Sequence, residues 1–303
     1  MLQHNDKRPT TPRRTVIIGA NGFIGSAIAQ RLQGQGAQVL RLGRAEVDLL
    51  AFDAGERLAA LLHEDDTVVL ASALAPVKDH DMLVKNLTML GPLIIALRQV
   101  APKHLVYISS DAVYRDSMDP LDETSCADPG SLHGAMHRSR ELVLETEIAS
   151  PLSIPLAILR PTLIYGSADP HNGYGPNRFR RLARARQEIV LFGKGEERRD
   201  HVDIQDVAEL ASRLVLHRSA GILNAATGTV TSFREVANRV VALADQPVPV
   251  RESPRVGAMP HNGYRPFDPA ATKAAFPDFT YTTLNDGLAR ASAEACQRSG
   301  DHD

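Results

Sequence analysis

A glycine-rich turn between a strand-like and a helix-like segment constrains this chain most. Residues 15–20, TVIIGA, are a β-branched run that ends near glycine, and residues 23–36 carry apolar side chains at helical spacing. Between them, Gly19, Gly22 and Gly25 permit a tight turn and a close approach of the backbone to a ligand. The helix N-terminus supplies free N–H groups to a pyrophosphate. An ordinary glycine-rich turn is the alternative, but the flanking strand and helix favour a dinucleotide-binding loop.

Strand-like and helix-like segments alternate through most of the chain. Further strands are predicted at residues 37–44, 66–73, 103–110, 155–165 and 221–226, and helices near residues 54–63, 81–100 and 135–148. Such alternation is typical of an α/β fold with a doubly wound, parallel sheet of the Rossmann type.

The composition changes at about residue 166, where a segment rich in Gly, Pro and Asn begins. Ser232 and Glu235 have capping-box spacing and predict the start of a later helix. We expect a Rossmann domain interleaved with a smaller C-terminal substrate domain. The predicted bounds are 14–165 plus about 199–228 for the first, about 166–198 plus 229–297 for the second, and flexible tails at 1–13 and 298–303.

The charges of the chain are balanced. In 303 residues, 34 basic and 36 acidic side chains give a formal net charge of −2. This balance gives no reason to expect nucleic acid or an anionic membrane as a partner. Cys126 and Cys296 lie far apart without C-x-x-C spacing, so a cytoplasmic protein without disulfide or zinc is expected. No run approaches the roughly 20 apolar residues of a membrane span.

Four further segments and the G-x-x-G-x-x-G spacing of the glycine loop resemble the motifs of one family. The segments are SSDAVY (109–114), LRPTLIYG (159–166), LFGKGEERRDHVDIQDVAE (191–209) and YRPFD (264–268). On these motifs the chain resembles the extended branch of the short-chain dehydrogenase/reductase superfamily, which contains nucleotide-sugar epimerases, dehydratases and reductases. The resemblance implies an NAD(P)-dependent enzyme with a nucleotide-sugar substrate, commonly a homodimer.

The end of the second strand bears on the choice of cofactor. An acidic residue there would bind the ribose diol of NAD, but this chain has Gly43 and Arg44. Because an arginine can pair with a 2′-phosphate, NADP(H) is favoured and NAD(H) is possible, unless Arg44 is simply solvated. The glycine loop and the resemblance together imply these cofactor-binding residues: Gly19, Asn21, Gly22, Phe23, Ile24, Gly25, Arg44, Asp48, Leu49, Ala73, Leu74, Ala75, Asn86, Ser109, His137, Pro161 and Leu163.

The catalytic positions of the family are altered in this chain. The resemblance places the family serine at Ser110 and the Tyr-x-x-x-Lys pair at His133 and His137, because Gly134 and Glu141 match neighbouring family residues. A tyrosine acts as a base only when a cation lowers its pKa, whereas an imidazole has an unperturbed pKa of about 6.5. The sequence therefore predicts that His133 acts as acid/base with Ser110, while His137 binds the nicotinamide ribose.

Three alternatives to this catalytic set stay open. The site can bind the cofactor without doing chemistry. His133 and His137 share a helix face, as metal ligands do, but no H-E-x-x-H glutamate or third ligand is evident, so no metal is predicted. Asp111 is a third candidate, since the family's dehydratases carry an acid there; their next glutamate is Ala112 here, which argues against a standard 4,6-dehydration.

Two arginines predict a site for a diphosphate. Arg199 in ERRDHVD and Arg265 in YRPFD resemble the arginines with which family members hold a nucleotide-sugar diphosphate. Two fork-shaped cations can clamp a pyrophosphate, although each alone could be a structural ion pair. Tyr114, Asn177 and Arg178 complete the predicted substrate-binding set.

Two functions are compatible with these features. The first is hydride transfer to or from a sugar carbon of a nucleotide-linked sugar, with net keto-reduction or epimerisation. The second is a non-catalytic NAD(P)-binding sensor or regulatory protein of the same fold. The intact substrate-side motifs favour the enzyme, because a sensor has little use for a diphosphate clamp.

Overall fold

The computed structural model describes the backbone of residues 2–300 and the side chains of residues 2–295. The strands are β1 (Gln3–His4), β2 (Arg14–Ile18), β3 (Val39–Leu42), β4 (Asp66–Leu70), β5 (His104–Ile108), β6 (Leu156–Pro161), β7 (Leu163–Tyr165), β8 (Ile189–Phe192), β9 (Arg198–Asp203), β10 (Ser219–Ala225), β11 (Val230–Ser232), β12 (Val250–Ser253) and β13 (Tyr264–Arg265). The helices are α1 (Phe23–Gly34), α2 (Ala54–Leu61), α3 (His80–Thr88), α4 (Leu90–Gln99), α5 (Leu132–Leu144), α6 (Ser150–Leu152), α7 (Pro176–Arg184), α8 (Ile204–Leu216), α9 (Phe233–Ala242), α10 (Ala270–Ala275) and α11 (Leu284–Gly300). A π-helical turn (Glu145–Ala149) joins α5 to α6, and 3-10 turns lie at Asp111–Val113 and Pro260–Gly263.

The larger sheet has the strand order β1-β10-β6-β5-β4-β2-β3. Its strands pair in parallel, except for β1, which is antiparallel to β10. The chain runs from β2 to β3 in one direction along the sheet and returns to β4 on the other side of β2. The carboxyl ends of β2 and β4 therefore border a crevice in which such folds bind ligands.

Helices cover both faces of this sheet. The central strands are almost fully buried because their continuous apolar runs meet a helical layer on each side. On one face, Ile28 of α1 packs with Leu210 of α8 in the core. On the other face, Leu58 of α2 and Leu97 of α4 belong to a second core cluster. The predicted doubly wound α/β fold is confirmed.

A smaller unit is built around β9. This strand pairs with β7, β11 and β13, while β8 and β12 form a separate two-stranded sheet. α7 and α9 share a third core cluster, to which they contribute Phe179 and Phe233. α9 begins at a capping box formed by Ser232 and Glu235, as their spacing predicted.

The chain passes between the two units more often than the predicted domain bounds state. β9 lies in the predicted segment 199–228 of the larger domain, but it pairs within the smaller sheet. α8 and β10 then return to the larger unit. Phe276, in the predicted segment 229–297 of the smaller domain, packs in the core of the larger unit.

The structure corrects the predicted flexible tail at 1–13 over its described residues, 2–13. β1 extends the edge of the larger sheet by pairing with β10. The ring of His4 lies 2.8 Å from Oγ of Ser219 and 3.1 Å from the carbonyl oxygen of Ala275. A short edge strand held by backbone hydrogen bonds leaves no apolar pattern in the sequence, which is why the composition suggested a free arm.

The C-terminal tail is also partly ordered. α11 continues to Gly300, so residues 298–300 of the predicted tail 298–303 are helical. Residues 301–303 lie outside the described residues. Within the described chain no helix, α11 included, is both long and apolar enough to cross a bilayer.

Candidate active site

The glycine loop joins β2 to α1 in the shape that dinucleotide binding needs. Gly19 has a φ of +90°, and a Cβ there would lie 2.6 Å from the amide nitrogen of Ser72. A Cβ on Gly25 would lie 2.2 Å from the carbonyl oxygen of Gly19, so α1 packs directly on the turn. Gly22 precedes α1 and provides no side-chain cap, which leaves the first-turn N–H groups open to a ligand.

A cavity of about 500 Å³ opens at the carboxyl ends of the central strands. Its walls come from the glycine loop, the loops after β4, β5 and β6, and the start of α5. The predicted site residues that line it are Gly22, Phe23, Ile24, Ala73, Ala75, Ser109, Ser110, Asp111, His133, His137, Pro161, Leu163, Asn177, Arg199 and Arg265. One cavity therefore holds members of the cofactor, catalytic and substrate sets.

Other predicted residues stand outside the lining of this cavity: Gly19, Asn21, Gly25, Arg44, Asp48, Leu49, Leu74, Asn86, Tyr114 and Arg178. Asn86 is fully buried and acts on the loop after β4. Its Oδ1 accepts from the amide of Leu74 at 2.9 Å, and its Nδ2 donates to the carbonyl oxygen of Leu74 at 2.9 Å. Asn86 thereby holds in place the loop whose Ala73 and Ala75 line the cavity.

The end of β3 forms an open surface. The side chain of Arg44 is 82% exposed, and its Nε donates to the carboxylate of Asp48 at 3.0 Å. Hydrogen bonds from the amide of Leu50 and from Arg44 lower the pKa of Asp48. Asn21 lies over Gly43, where a Cβ would come within 2.1 Å of Asn21 Nδ2. An anionic ligand can reach Arg44 here, in competition with Asp48.

The first turn of α5 presses against the loop that follows β5. Ser131 caps the helix by accepting from the amide of Gly134 at 3.1 Å. A Cβ on Gly134 would lie 2.0 Å from the carbonyl oxygen of Ala112, so only glycine allows this approach. The approach brings His133 and Ser110 into the lining of the same cavity.

Ser110 lies in the loop after β5, and its Oγ accepts from the amide of Ala112 at 3.1 Å. The same oxygen lies 3.4 Å from Oδ1 of Asp111. The other carboxylate oxygen of Asp111 accepts from Nε of Arg265 at 3.0 Å. The carboxylate of Asp111 is therefore paired with Arg265, and this pairing argues against Asp111 as the acid/base.

His133 and His137 meet edge to face, with ring centroids 4.7 Å apart and planes at 86°. The amide of Val77 points at Nδ1 of His133 across a long contact of 3.5 Å. Burial lowers the pKa of both imidazoles; Asp111 opposes this for His133, while His133 and Arg140 lower the pKa of His137 further. Both rings are therefore neutral near pH 7.

Glu141 ties α5 to two strands of the larger sheet. Its carboxylate accepts two hydrogen bonds from Arg160 on β6 and one, at 2.7 Å, from Oγ of Ser109 after β5. All three side chains are buried. The hydroxyl of Ser109 is thus committed to Glu141, and the network fixes the helix that carries His133 and His137.

Arg265, which the sequence predicted as a phosphate ligand, makes most of its contacts inside the protein. Its side chain is only 2% exposed. It donates to the carboxylate and the carbonyl oxygen of Asp111, to the carboxylate of Asp116 at 2.7 Å and to the carbonyl oxygen of Tyr114 at 3.3 Å. Because most of its N–H groups are bonded inside the protein, Arg265 holds the Asp111 loop and has little left for a diphosphate.

Arg199 keeps the open guanidinium that Arg265 lacks. It lines the cavity, and its Nε donates to Glu197 at 2.8 Å. Among the described residues no acceptor contacts its Nη groups. Arg199 is therefore the cation of the predicted clamp that can still bind an anion.

The other predicted substrate residues have structural contacts. Asn177 lines the cavity, but its Oδ1 accepts from the amide of Gly166 at 3.0 Å. Tyr114 is 1% exposed, donates to Oδ1 of Asn224 at 2.8 Å and stands outside the lining of the cavity. Arg178 is exposed on α7, outside the cavity.

Two cavity histidines were absent from the sequence prediction. His171 and His261 each lie in the pentapeptide Pro-His-Asn-Gly-Tyr, which occurs at 170–174 and at 260–264. This repeat was the available signal. Nδ1 of His261 contacts the carboxylate of Asp116, 145 positions away, and no local pattern could join those two residues.

Among the described residues no cluster of three His, Cys, Asp or Glu is placed to hold a metal ion.

Solved structures of sugar-nucleotide enzymes resemble this fold. A UDP-glucose 4-epimerase from Thermotoga maritima, solved with UDP-glucose, has a TM-score of 0.81 and 21% identity, covering 94% of this chain and 99% of that one. A GDP-L-fucose synthetase from Naegleria fowleri, bound to NADP, has a TM-score of 0.82 and 14% identity, covering 98% of each chain. At these identities the likeness concerns the fold.

Curated relatives resemble the sequence over most of its length. A dTDP-6-deoxy-L-talose 4-dehydrogenase (NAD(P)(+)) from Kitasatospora kifunensis is 28% identical over 269 residues, or 81% of this chain and 83% of the relative. A dTDP-4-dehydro-6-deoxy-D-allose reductase from Streptomyces bikiniensis is 26% identical over 281 residues, or 80% of this chain and 84% of the relative.

The family follows from a match that spans most of the chain. The sequence model of the NAD dependent epimerase/dehydratase family matches residues 15–226 of the 303. The resemblance inferred from the motifs, and the prediction of an NAD(P)-dependent enzyme of oxidoreductase or epimerase type, are thereby confirmed. The chain belongs to the NAD dependent epimerase/dehydratase family.

Proposed function

We propose that this protein moves a hydride to or from a sugar carbon of a nucleotide-linked sugar, with net keto-reduction or epimerisation. One observation carries the proposal: a single cavity joins the uncapped start of α1, the imidazole of His133 with Ser110, and the guanidinium of Arg199. A cofactor cradle, an acid/base and an anion-binding group are the parts that this reaction needs. The dehydrogenase and reductase among the relatives support the assignment.

The cofactor is NADP(H) by preference, or NAD(H). The glycine loop and the start of α1 suit its pyrophosphate, because a Cβ at Gly19 or Gly25 would collide with backbone and the helix N-terminus is uncapped. Pro161 and Leu163 line the cavity beyond this loop. Arg44 is exposed shortly after β3, and an arginine there could pair with a 2′-phosphate, which favours NADP(H). When bound, the nicotinamide supplies or accepts the hydride.

His133 carries the proton. As a neutral imidazole it takes the proton of a sugar hydroxyl during oxidation, and as an imidazolium it returns the proton to the carbonyl oxygen during reduction. Ser110 donates a hydrogen bond to the same oxygen from the adjoining loop. Because the base is already neutral near pH 7, it needs no cation beside it, which accounts for a histidine in place of the family lysine at His137.

Arg199 binds the diphosphate of the substrate. It lines the cavity from β9 of the smaller unit, and its Nη groups have no acceptor among the described residues. Glu197 holds the Nε and so orients the fork. A guanidinium held in this way binds two phosphate oxygens at once.

The proposal includes a cytoplasmic homodimer. Val84 on α3, Ile95 on α4 and Leu142 on α5 are exposed apolar side chains on neighbouring helices, as a helix-pair interface requires. Cys126 is a free, exposed thiol, which suits a reducing compartment.

The test is nicotinamide absorbance of the purified protein with NADPH or NADP⁺, challenged with UDP-, dTDP-, GDP- and CDP-sugars and their 4-keto forms. We expect turnover with at least one of them. With that substrate, Arg199→Ala should lower kcat/KM by raising KM. Tight cofactor binding with no turnover across the panel would overturn the proposal and would favour a sensor.

A further inference from the structure

Tyr107, on β5, contacts one of the two altered catalytic residues from beneath. Its hydroxyl oxygen lies 2.7 Å from Nδ1 of His137. Tyr107 is 1% exposed and His137 is 5% exposed, so this contact is sealed from water. The two rings are 5.9 Å apart and tilted by 40°. Tyr107 lies outside the motifs that resemble the family and outside the predicted catalytic and binding residues.

The direction of this hydrogen bond follows from the partners available to each group. Burial raises the pKa of Tyr107 well above its usual value, so the phenol keeps its proton. Within residues 2–295, Nδ1 of His137 is the hydroxyl's hydrogen-bond partner and no second acceptor contacts it. A buried hydroxyl that keeps its proton donates it in a hydrogen bond to the available partner, and Nδ1 is therefore the acceptor.

The other ring nitrogen of His137 is then fixed as well. A neutral imidazole that accepts at Nδ1 carries its proton on Nε2. Nε2 has no hydrogen-bond partner among the described residues. It is not buried, and His137 lines the cavity, so Nε2 is accessible from there. Nε2–H is therefore a single hydrogen-bond donor presented to the cavity.

Arg140 helps to keep this ring neutral. It is fully buried, donates to the carbonyl oxygen of Ser72 at 2.8 Å and places its Cζ 5.4 Å from the centroid of the Tyr107 ring. Its Nε and Nη2 have no hydrogen-bond partner among the described residues, and its Nη1 bonds a backbone carbonyl oxygen and not a carboxylate. An unpaired buried cation makes a second positive charge on His137 costly.

We propose that Tyr107 is a positioning residue that holds His137 as the neutral Nε2–H tautomer, so that His137 donates to a ribose hydroxyl of the cofactor. A lysine at this position would supply a charge and three donors; the Tyr107–His137 pair supplies one oriented donor and no charge. The ribose contact rests on the proposed function, whereas the tautomer does not depend on any substrate.

The tautomer is measured by NMR on protein labelled with ¹⁵N-histidine, without substrate, with the His137 signals assigned by their loss in His137→Gln. We expect the wild type to show a protonated Nε2 and an unprotonated Nδ1 near pH 7. A protonated Nδ1, or an even mixture, would overturn the proposal. This wild-type spectrum decides the tautomer even if no Tyr107 variant folds.

Tyr107→Phe removes only the hydroxyl. It should give a mixture of tautomers at His137 and raise the Kd for the cofactor by about twofold, because only the Nε2–H fraction can donate to the ribose. Tyr281→Phe is the control, because Tyr281 is a partly buried tyrosine outside the cavity whose hydroxyl accepts from the amide of Ala226. An unchanged tautomer in Tyr107→Phe would also overturn the proposal. A silent substrate panel with Nε2–H present would count against the reaction and leave the Tyr107 assignment standing.

Discussion

Glu141 and Arg160 form a two-pronged ion pair, with Nε to Oε1 at 2.8 Å and Nη2 to Oε2 at 2.7 Å. The side chains are 0% and 2% exposed, respectively. Glu141 stands one turn beyond His137 on α5, while Arg160 stands on β6. The pair therefore sets the position of α5, which carries His133 and His137, against the larger sheet.

Removal of the charge on Glu141 should strongly destabilise the fold. Glu141→Gln keeps the shape but leaves Arg160 buried without its counter-charge, and we expect the free energy of unfolding to fall by about 3 kcal/mol. Urea denaturation measures it. Glu147→Gln is the control, since Glu147 pairs with Arg98 while 48% exposed and should change stability by less than about 0.5 kcal/mol. Equal losses in the two variants would contradict the assignment.

The pH dependence of the reaction should follow the imidazole of His133. Burial lowers its pKa below 6.5 against the opposing effect of Asp111. In the oxidative direction the neutral form is the base, so kcat/KM should stay level above pH 7 and fall as the pH drops through that lowered pKa. In the reductive direction the dependence should reverse. An oxidative rate that keeps climbing from pH 8 to pH 10 would instead indicate a phenol or an amine.

Arg44 should decide between the two nicotinamide cofactors. Its guanidinium is 82% exposed beside Asp48, so it can reach a 2′-phosphate without burial. Arg44→Ala should raise the Kd for NADPH by about tenfold and leave the Kd for NADH within about twofold. Fluorescence titration measures both constants. Arg251→Ala, which removes an exposed arginine from the smaller unit, should change neither.

His201 should make the protein less stable in acid. Burial lowers its pKa to about 3, and neither ring nitrogen has a partner among the described residues. The unfolded chain binds this proton first as the pH falls below about 6.5, so the wild type loses stability from there downward. His201→Leu should be more stable than the wild type by about 2 kcal/mol at pH 5 and close to it at pH 7. A parallel fall in both proteins, followed by circular dichroism, would contradict this.

Local sequence signals predicted the fold and the glycine loop of the candidate site. The strand, the glycine turn and the apolar face of α1 lie within twenty or so neighbouring residues, and the glycines stand where a Cβ would collide with backbone. The role of Arg265 could not be predicted locally, because the fold brings Asp111 to it from 154 positions away. Tyr107 was hidden for the same reason: in sequence it is one apolar member of a buried strand, and only packing sets its hydroxyl against His137.

The most direct test of the account is the single-turnover rate of hydride transfer in His133→Phe, measured by nicotinamide absorbance with the sugar nucleotide that the wild type turns over. Loss of the acid/base should reduce the rate by about 10²- to 10⁴-fold. The Kd for the cofactor should stay within about threefold of the wild-type value, because the proposed ribose contact belongs to His137 and not to His133. A His133→Phe variant that transfers hydride at the wild-type rate would show that another residue moves the proton and would contradict the central claim.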